Sequence, residues 1–153
     1  MTATVPRVCL AAEEVQVVEG LADGITLPEL PFRLAMPSAT ADRYLTSAKR
    51  KLHVRENATA VATALAVEAI ERPQPLDYVG PNLLDGQRAL MPLFVQGMSA
   101  EEMADQLQRP LTVVRRDGRQ LMRNVQAKNP SHLVKRLWRY RLVSTERVLA
   151  WLA

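Results

Sequence analysis

The chain has 153 residues, 48% of them hydrophobic and 24% charged, with a net charge of +4 and a single cysteine. That composition can bury a core and excludes wholesale disorder, while one cysteine excludes an intrachain disulfide. No apolar run approaches a secretory leader or a membrane span, so a cytoplasmic protein without membrane contact is expected.

Apolar residues recur at helical spacing throughout, and no alternating strand pattern interrupts them. In the first half this predicts helices over 12–22, 26–35, 38–52 and 57–70. Residues 71–82, "ERPQPLDYVGPN", hold three prolines and read as a semi-rigid connector. Within it, Leu76, Tyr78 and Val79 are expected to dock on a neighbouring helix. The second half predicts helices over 84–96, 99–107, 111–126 and 130–142, then a short one over 144–152 capped by Ser144 or Thr145.

The punctuation is repeated. "GMSAEEMADQL" at 97–107 has a helix-closing glycine, then Ser99 and Glu102 at capping-box spacing, then an apolar face. "GITLPELPFRL" at 24–34 does the same with Gly24, Thr26 and Glu29. A single shift of 73 residues pairs them without a gap and makes Leu10/Leu83, Gly24/Gly97, Glu29/Glu102, Leu34/Leu107, Pro37/Pro110, Arg43/Arg116, Arg50/Arg123 and Val61/Val134 identical. The expected fold is therefore all-α: two tandem four-helix units, 1–70 and 83–153, related by internal duplication, with a short C-terminal helix.

Charge is unevenly divided. Residues 1–78 carry 8 Lys/Arg and 10 Asp/Glu, whereas residues 79–153 carry 12 and 6, which points the second half toward a polyanion. The third helix of each unit is amphipathic. Ala41, Leu45, Ala48 and Leu52 form the inner stripe of the first, leaving Thr40, Asp42, Arg43, Ser47 and Arg50 outside, with Lys51 and Arg55 at its end. In the second, Val114, Leu121 and Val125 face inward and Thr112, Arg115, Arg116, Arg119, Gln120 and Arg123 outward, with Lys128 beyond.

Each unit resembles the LuxR/FixJ-type (GerE-like) helix-turn-helix domain. In the first, the resemblance rests on Leu10, Glu14, Val17, Val18, Ala22, Gly24, Thr26, Glu29, Leu30, Leu34, Met36, Thr40, Leu45, Lys51, Leu52, Val54, Ala60 and Val61. In the second, it rests on Leu83, Leu90, Gly97, Ser99, Glu102, Met103, Ala104, Leu107, Val114, Arg115, Leu121, Val125 and Val134. It implies a bacterial transcription regulator, nucleoid-associated, whose third helices lie in the major groove of duplex DNA. The implied DNA contacts are Thr40, Arg43, Ser47, Arg50, Lys51 and Arg55 in one unit, and Thr112, Arg115, Arg116, Arg119, Gln120, Arg123 and Lys128 in the other. In the family the fourth helix pairs subunits, so one chain is expected to form an intrachain pseudo-dimer. Helices 57–70, 130–142 and 144–152 also offer surfaces for self-association.

Some residues depart from the family. Pro31 and Pro92 fall inside helices, Asp42 replaces a basic residue, and Asp117 and Gly118 occupy the middle of the second reading helix. Asp117 is expected to set a negative charge near the DNA face. These departures support an alternative: eroded units that dock on RNA polymerase, a sigma factor or another regulator. No metal spacing, phosphate loop or nucleophile motif appears, and no enzymatic activity or cofactor is expected. His53 and His132 read as ordinary surface residues, and Cys9 as packed.

Overall fold

A computed structural model of the chain describes residues 7–77 and 80–153. Among these residues all regular structure is helical: α1 (Ala12–Ala22), α2 (Leu30–Leu34), α3 (Ser38–Leu52), α4 (Asn57–Ala66), α5 (Asp85–Arg88), α6 (Met91–Val95), α7 (Ala100–Leu107), α8 (Leu111–Val125), α9 (Pro130–Arg139) and α10 (Thr145–Leu152). None of them is long and apolar enough to cross a membrane.

Local chemistry accounts for most boundaries. At α7 the Ser99 side chain accepts from the Glu102 N–H at 3.2 Å, and the Glu102 carboxylate accepts from the Ser99 N–H at 3.1 Å, a complete capping box. The matching stretch in the first half does otherwise. Thr26 donates its hydroxyl to the Glu29 carboxylate at 2.8 Å, and residues 26–29 form a turn. Helix α2 is only five residues long, not the ten expected over 26–35. Pro31 lacks the N–H that a helix begun at residue 26 would donate to the Leu27 carbonyl. Pro92 acts similarly: it cannot donate to the Arg88 carbonyl, and the expected helix over 84–96 is split into α5 and α6. Helices α4 and α9 stop short of residues 70 and 142 because Glu68 and Arg141 turn left-handed.

The backbone path recurs at the same 73-residue spacing. Both ends of α3 and α8 correspond, as do both ends of α4 and α9, and α1 spans the counterpart of α5 plus α6. The described residues with left-handed φ fall into four pairs at that spacing: Gly24/Gly97, Ala35/Gln108, His53/Gln126 and Glu68/Arg141. Six of these eight are not glycine, and such residues enter that region uncommonly.

The halves share one core. Helix α4 buries Ala58, Ala60, Val61, Ala62, Ala64, Leu65 and Ala66, nearly its whole circumference, and packs against α9, α1, α10, α6 and α3. Contacts between the halves are reciprocal: α9 lies on α1 as α4 lies on α6. A Cβ on Gly24 would meet His132 at 3.2 Å, and one on Gly97 would meet Thr59 at 2.9 Å. Residues 59 and 132, like 24 and 97, are 73 apart, so the same contact is made twice, as across a twofold axis. Asn129 donates to the Gly24 carbonyl at 3.1 Å, and Lys135 forms an ion pair with Asp23. The expected self-association stripes of α4 and α9 thus face each other within one chain, and α10 lies on α4 and α6.

The connector is fastened to this core. Arg72 donates to the carbonyls of Leu65 and Ala66 at 3.0 Å and to the Thr145 hydroxyl at 2.7 Å, while lying 4.9 Å from the Trp138 ring centre. The N–H of Leu76, as expected, docks on a neighbouring helix, donating to the Arg139 carbonyl at 2.8 Å. Tyr78 and Val79 lie outside the described residues.

Two glycine substitutions should act oppositely on stability. Gly97 has φ +77°, and a Cβ there would lie 2.5 Å from Glu56 Cβ. Gly97→Ala should therefore cost about 1–3 kcal/mol. Gly118 is helical, and its Cβ would meet nothing closer than the Phe94 ring at 3.4 Å. Gly118→Ala should raise stability by about 0.5–1 kcal/mol. Urea denaturation of the two variants measures both.

Candidate nucleic-acid interface

Helix α8 begins after Pro110 and is strongly two-sided. Val114, Leu121 and Val125 face the core as expected, and Asp117 and Gly118 join them. Thr112, Arg115, Arg116, Arg119 and Arg123 are exposed on the other side. The exposure of Asp117 is the first correction. Its carboxylate is turned inward toward α5, so near Gly86 that a Cβ there would lie 2.7 Å from Asp117 Oδ2. The missing side chain of Gly86 makes the room for one carboxylate oxygen, while the other stays 3.6 Å from the Arg116 guanidinium, so the negative charge is paired at the edge of the arginine face. Gly118 sits under the Phe94 ring.

Several α8 residues besides Arg116 and Asp117 are engaged within the chain. Arg115 donates to the Glu101 carboxylate at 3.0 Å on the surface. Glu101 is held below the usual carboxylate range first by its own backbone N–H, with burial opposing and Arg115 assisting. Gln120 is half-buried: its side-chain oxygen accepts from Gln87 at 3.3 Å, and Gln87 accepts from Asn124 at 3.0 Å. That network ties α8 to α5, so Gln120 is less available than periodicity suggested. Lys128 is exposed, and its N–H donates to His132 Nδ1 at 3.0 Å.

Helix α3 buries Ala41, Leu45, Ala48 and Leu52, the stripe expected. Asp42, Arg43, Thr46 and Arg50 are exposed, as is Arg55 after the helix, whereas Thr40 and Ser47 are half-buried. Lys51 does not point freely outward. Its ammonium lies 2.5 Å from Glu14, a carboxylate only 1% exposed, which also accepts the Ala11 N–H at 2.8 Å. Burial pushes the Glu14 carboxyl up, but Lys51, the Ala11 N–H and the Ser47 hydroxyl outweigh it and leave it below the usual range. Lys51 and Ser47 therefore serve the α1–α3 contact. The clue was present in the sequence, because Glu14 falls in register with Val17, Val18 and Leu21 on the apolar stripe of α1.

Two further readings are corrected. His132 is partly buried between the halves, against Gly24, and its pKa is lowered by burial and then by Arg136. Cys9 is exposed, because it precedes α1 and no helix face carries it inward. Among the described residues no group of His, Cys, Asp or Glu side chains could hold a metal ion.

Two adjoining cavities lie beside the third helices. A cavity of about 470 Å³ is lined by the counterparts Leu21 and Phe94, and Ile25 and Met98, with Lys49 of α3 at its edge. A second, of about 320 Å³, shares Phe94 and Met98 and is edged by Arg115 and Arg119 of α8. Periodicity missed Lys49, which is half-buried at that border. No protein-family model, no curated protein and no solved structure matches this chain.

The Glu14 arrangement gives a pH-dependent prediction. A carboxylate with a lowered folded pKa adds stability above its unfolded pKa, near 4, and loses it as pH falls through the folded value. Lys51→Met should cost about 1–2 kcal/mol at pH 7, less than a fully buried pair because Lys51 is partly exposed. Urea denaturation should show that deficit shrinking as pH is lowered through the carboxylate range.

Proposed function

We propose that this chain is a bacterial transcription regulator that binds duplex DNA through α3 and α8. In this reading the halves are duplicated LuxR/FixJ-type helix-turn-helix units, joined as an intrachain pseudo-dimer through α4 and α9. The recurring helix bounds, the paired left-handed residues and the reciprocal contacts support the duplication.

The observation that carries the DNA reading is the exposed face of α8, with Arg115, Arg116, Arg119 and Arg123 on one side of a helix anchored by the other. Arginine forks onto guanine O6 and N7 and also grips phosphate, and a rigid helix is the element the major groove admits.

Binding to duplex fragments across a salt series tests it. Affinity should fall steeply with salt while a sequence preference persists. The triple variant Arg115→Ala, Arg116→Ala, Arg119→Ala should weaken binding by about 100-fold or more and lower the salt slope by roughly 2–3. Unchanged affinity would remove the assignment.

One observation favours a second role for the first half. Phe32 on α2 is 87% exposed and nearby Leu27 44% exposed, whereas the counterpart of Phe32 is Asp105. An aromatic so open to water suits docking on RNA polymerase, a sigma factor or another regulator. Phe32→Ser should leave stability and DNA affinity within about twofold. If α2 docks on a partner, the same variant should lose regulation in a promoter assay.

A further inference from the structure

We infer that the duplex this chain recognises is asymmetric, with a guanine-rich half read by α8 and a different half read by α3. The inference rests on the DNA reading above and deepens it. Four of the exposed positions on the two third helices carry the comparison: Asp42 corresponds to Arg115, Arg43 to Arg116, Thr46 to Arg119 and Arg50 to Arg123. Two pairs are identical, which keeps a common register on the groove. The other two differ in the property that decides base choice.

On α8 all four are arginines, and Arg119 and Arg123 make no ion pair among the described residues. They are therefore able to fork onto guanine. On α3, Asp42 is repelled by phosphate and accepts only from donors such as cytosine N4, while Thr46 offers a hydroxyl and a methyl suited to thymine. A symmetric homodimer must present the same face twice and so selects an inverted repeat. Here both faces belong to one chain, with backbones in correspondence and side chains that are not. The cavity edged by Lys49 of α3 and the one edged by Arg115 and Arg119 of α8 share Phe94, Met98 and Pro130, and a single duplex is inferred to lie across both.

Selection of the full-length chain on a random duplex library, followed by sequencing, tests this. The unaltered chain should enrich a motif with guanines clustered in one half and no inverted copy in the other. Arg119→Ala should erase preference within the guanine-rich half and lower affinity by about tenfold. Asp42→Arg with Thr46→Arg gives α3 the four arginines of α8, at exposed helical positions where folding is not at stake, and should convert the motif to an inverted repeat. An inverted repeat selected by the unaltered chain overturns the asymmetry while leaving DNA binding intact. An asymmetric motif that neither variant alters overturns its assignment to these faces. If no duplex is enriched, the asymmetry and the proposed function both fail.

Discussion

The packing of α4 against α9 is the constraint on which the rest of this structure depends. Helix α4 is mostly alanine and valine, side chains small enough to be covered on every side. Its neighbours can then approach closely, and α1, α3, α6, α9 and α10 all use it as a wall. A larger side chain in this helix would push at least two neighbours apart, since interiors at crystal-like density have no slack. Helix α9 is more one-sided, presenting Leu133, Val134 and Leu137 to that wall while Lys135 and Arg136 reach outward to Asp23 and to the Val125 carbonyl.

With the centre so filled, the third helices have only one apolar stripe each to spend. That is why α3 and α8 are amphipathic, and why their outer faces are free to carry charge without cost to the core. The two helices solve the charge problem differently. Helix α3 sends Lys51 to a buried carboxylate, whereas α8 turns its one acid, Asp117, largely inward beside a glycine, pairs Arg115 and Arg116 at the surface and leaves Arg119 and Arg123 in water. Basic residues are equally easy to count in both helices. Only their partners separate a cation that holds the fold from one that faces outward.

Much of this was legible in the residues. The span of α3 and its stripe of Ala41, Leu45, Ala48 and Leu52 follow from periodicity, because an exposed helix packed on one side prints its geometry on the sequence. The Ser99–Glu102 cap was equally clear, since both partners lie within one turn. Helix α2 was overestimated because the apolar pattern ran on through Pro28 and Pro31, and backbone chemistry prevailed over pattern. Long-range partners were not readable. Glu14 and Lys51 lie 37 positions apart, and Gly24 meets Asn129 across 105. Nor could spacing reveal that Gly86 opens room for Asp117, since a missing side chain signals only when its neighbour is known.

Covalent joining of the halves has a thermodynamic consequence. A pair of separate subunits falls apart on dilution, so the abundance of the assembled form scales with the square of subunit concentration when subunits are scarce. Here the interface between α4 and α9 closes within one polypeptide, fastened by a connector that Arg72 clamps to both. Its occupancy is set by an effective local concentration that the cell's copy number does not change. Whatever the two outer faces engage together, they engage in proportion to the first power of the protein present, down to a single molecule.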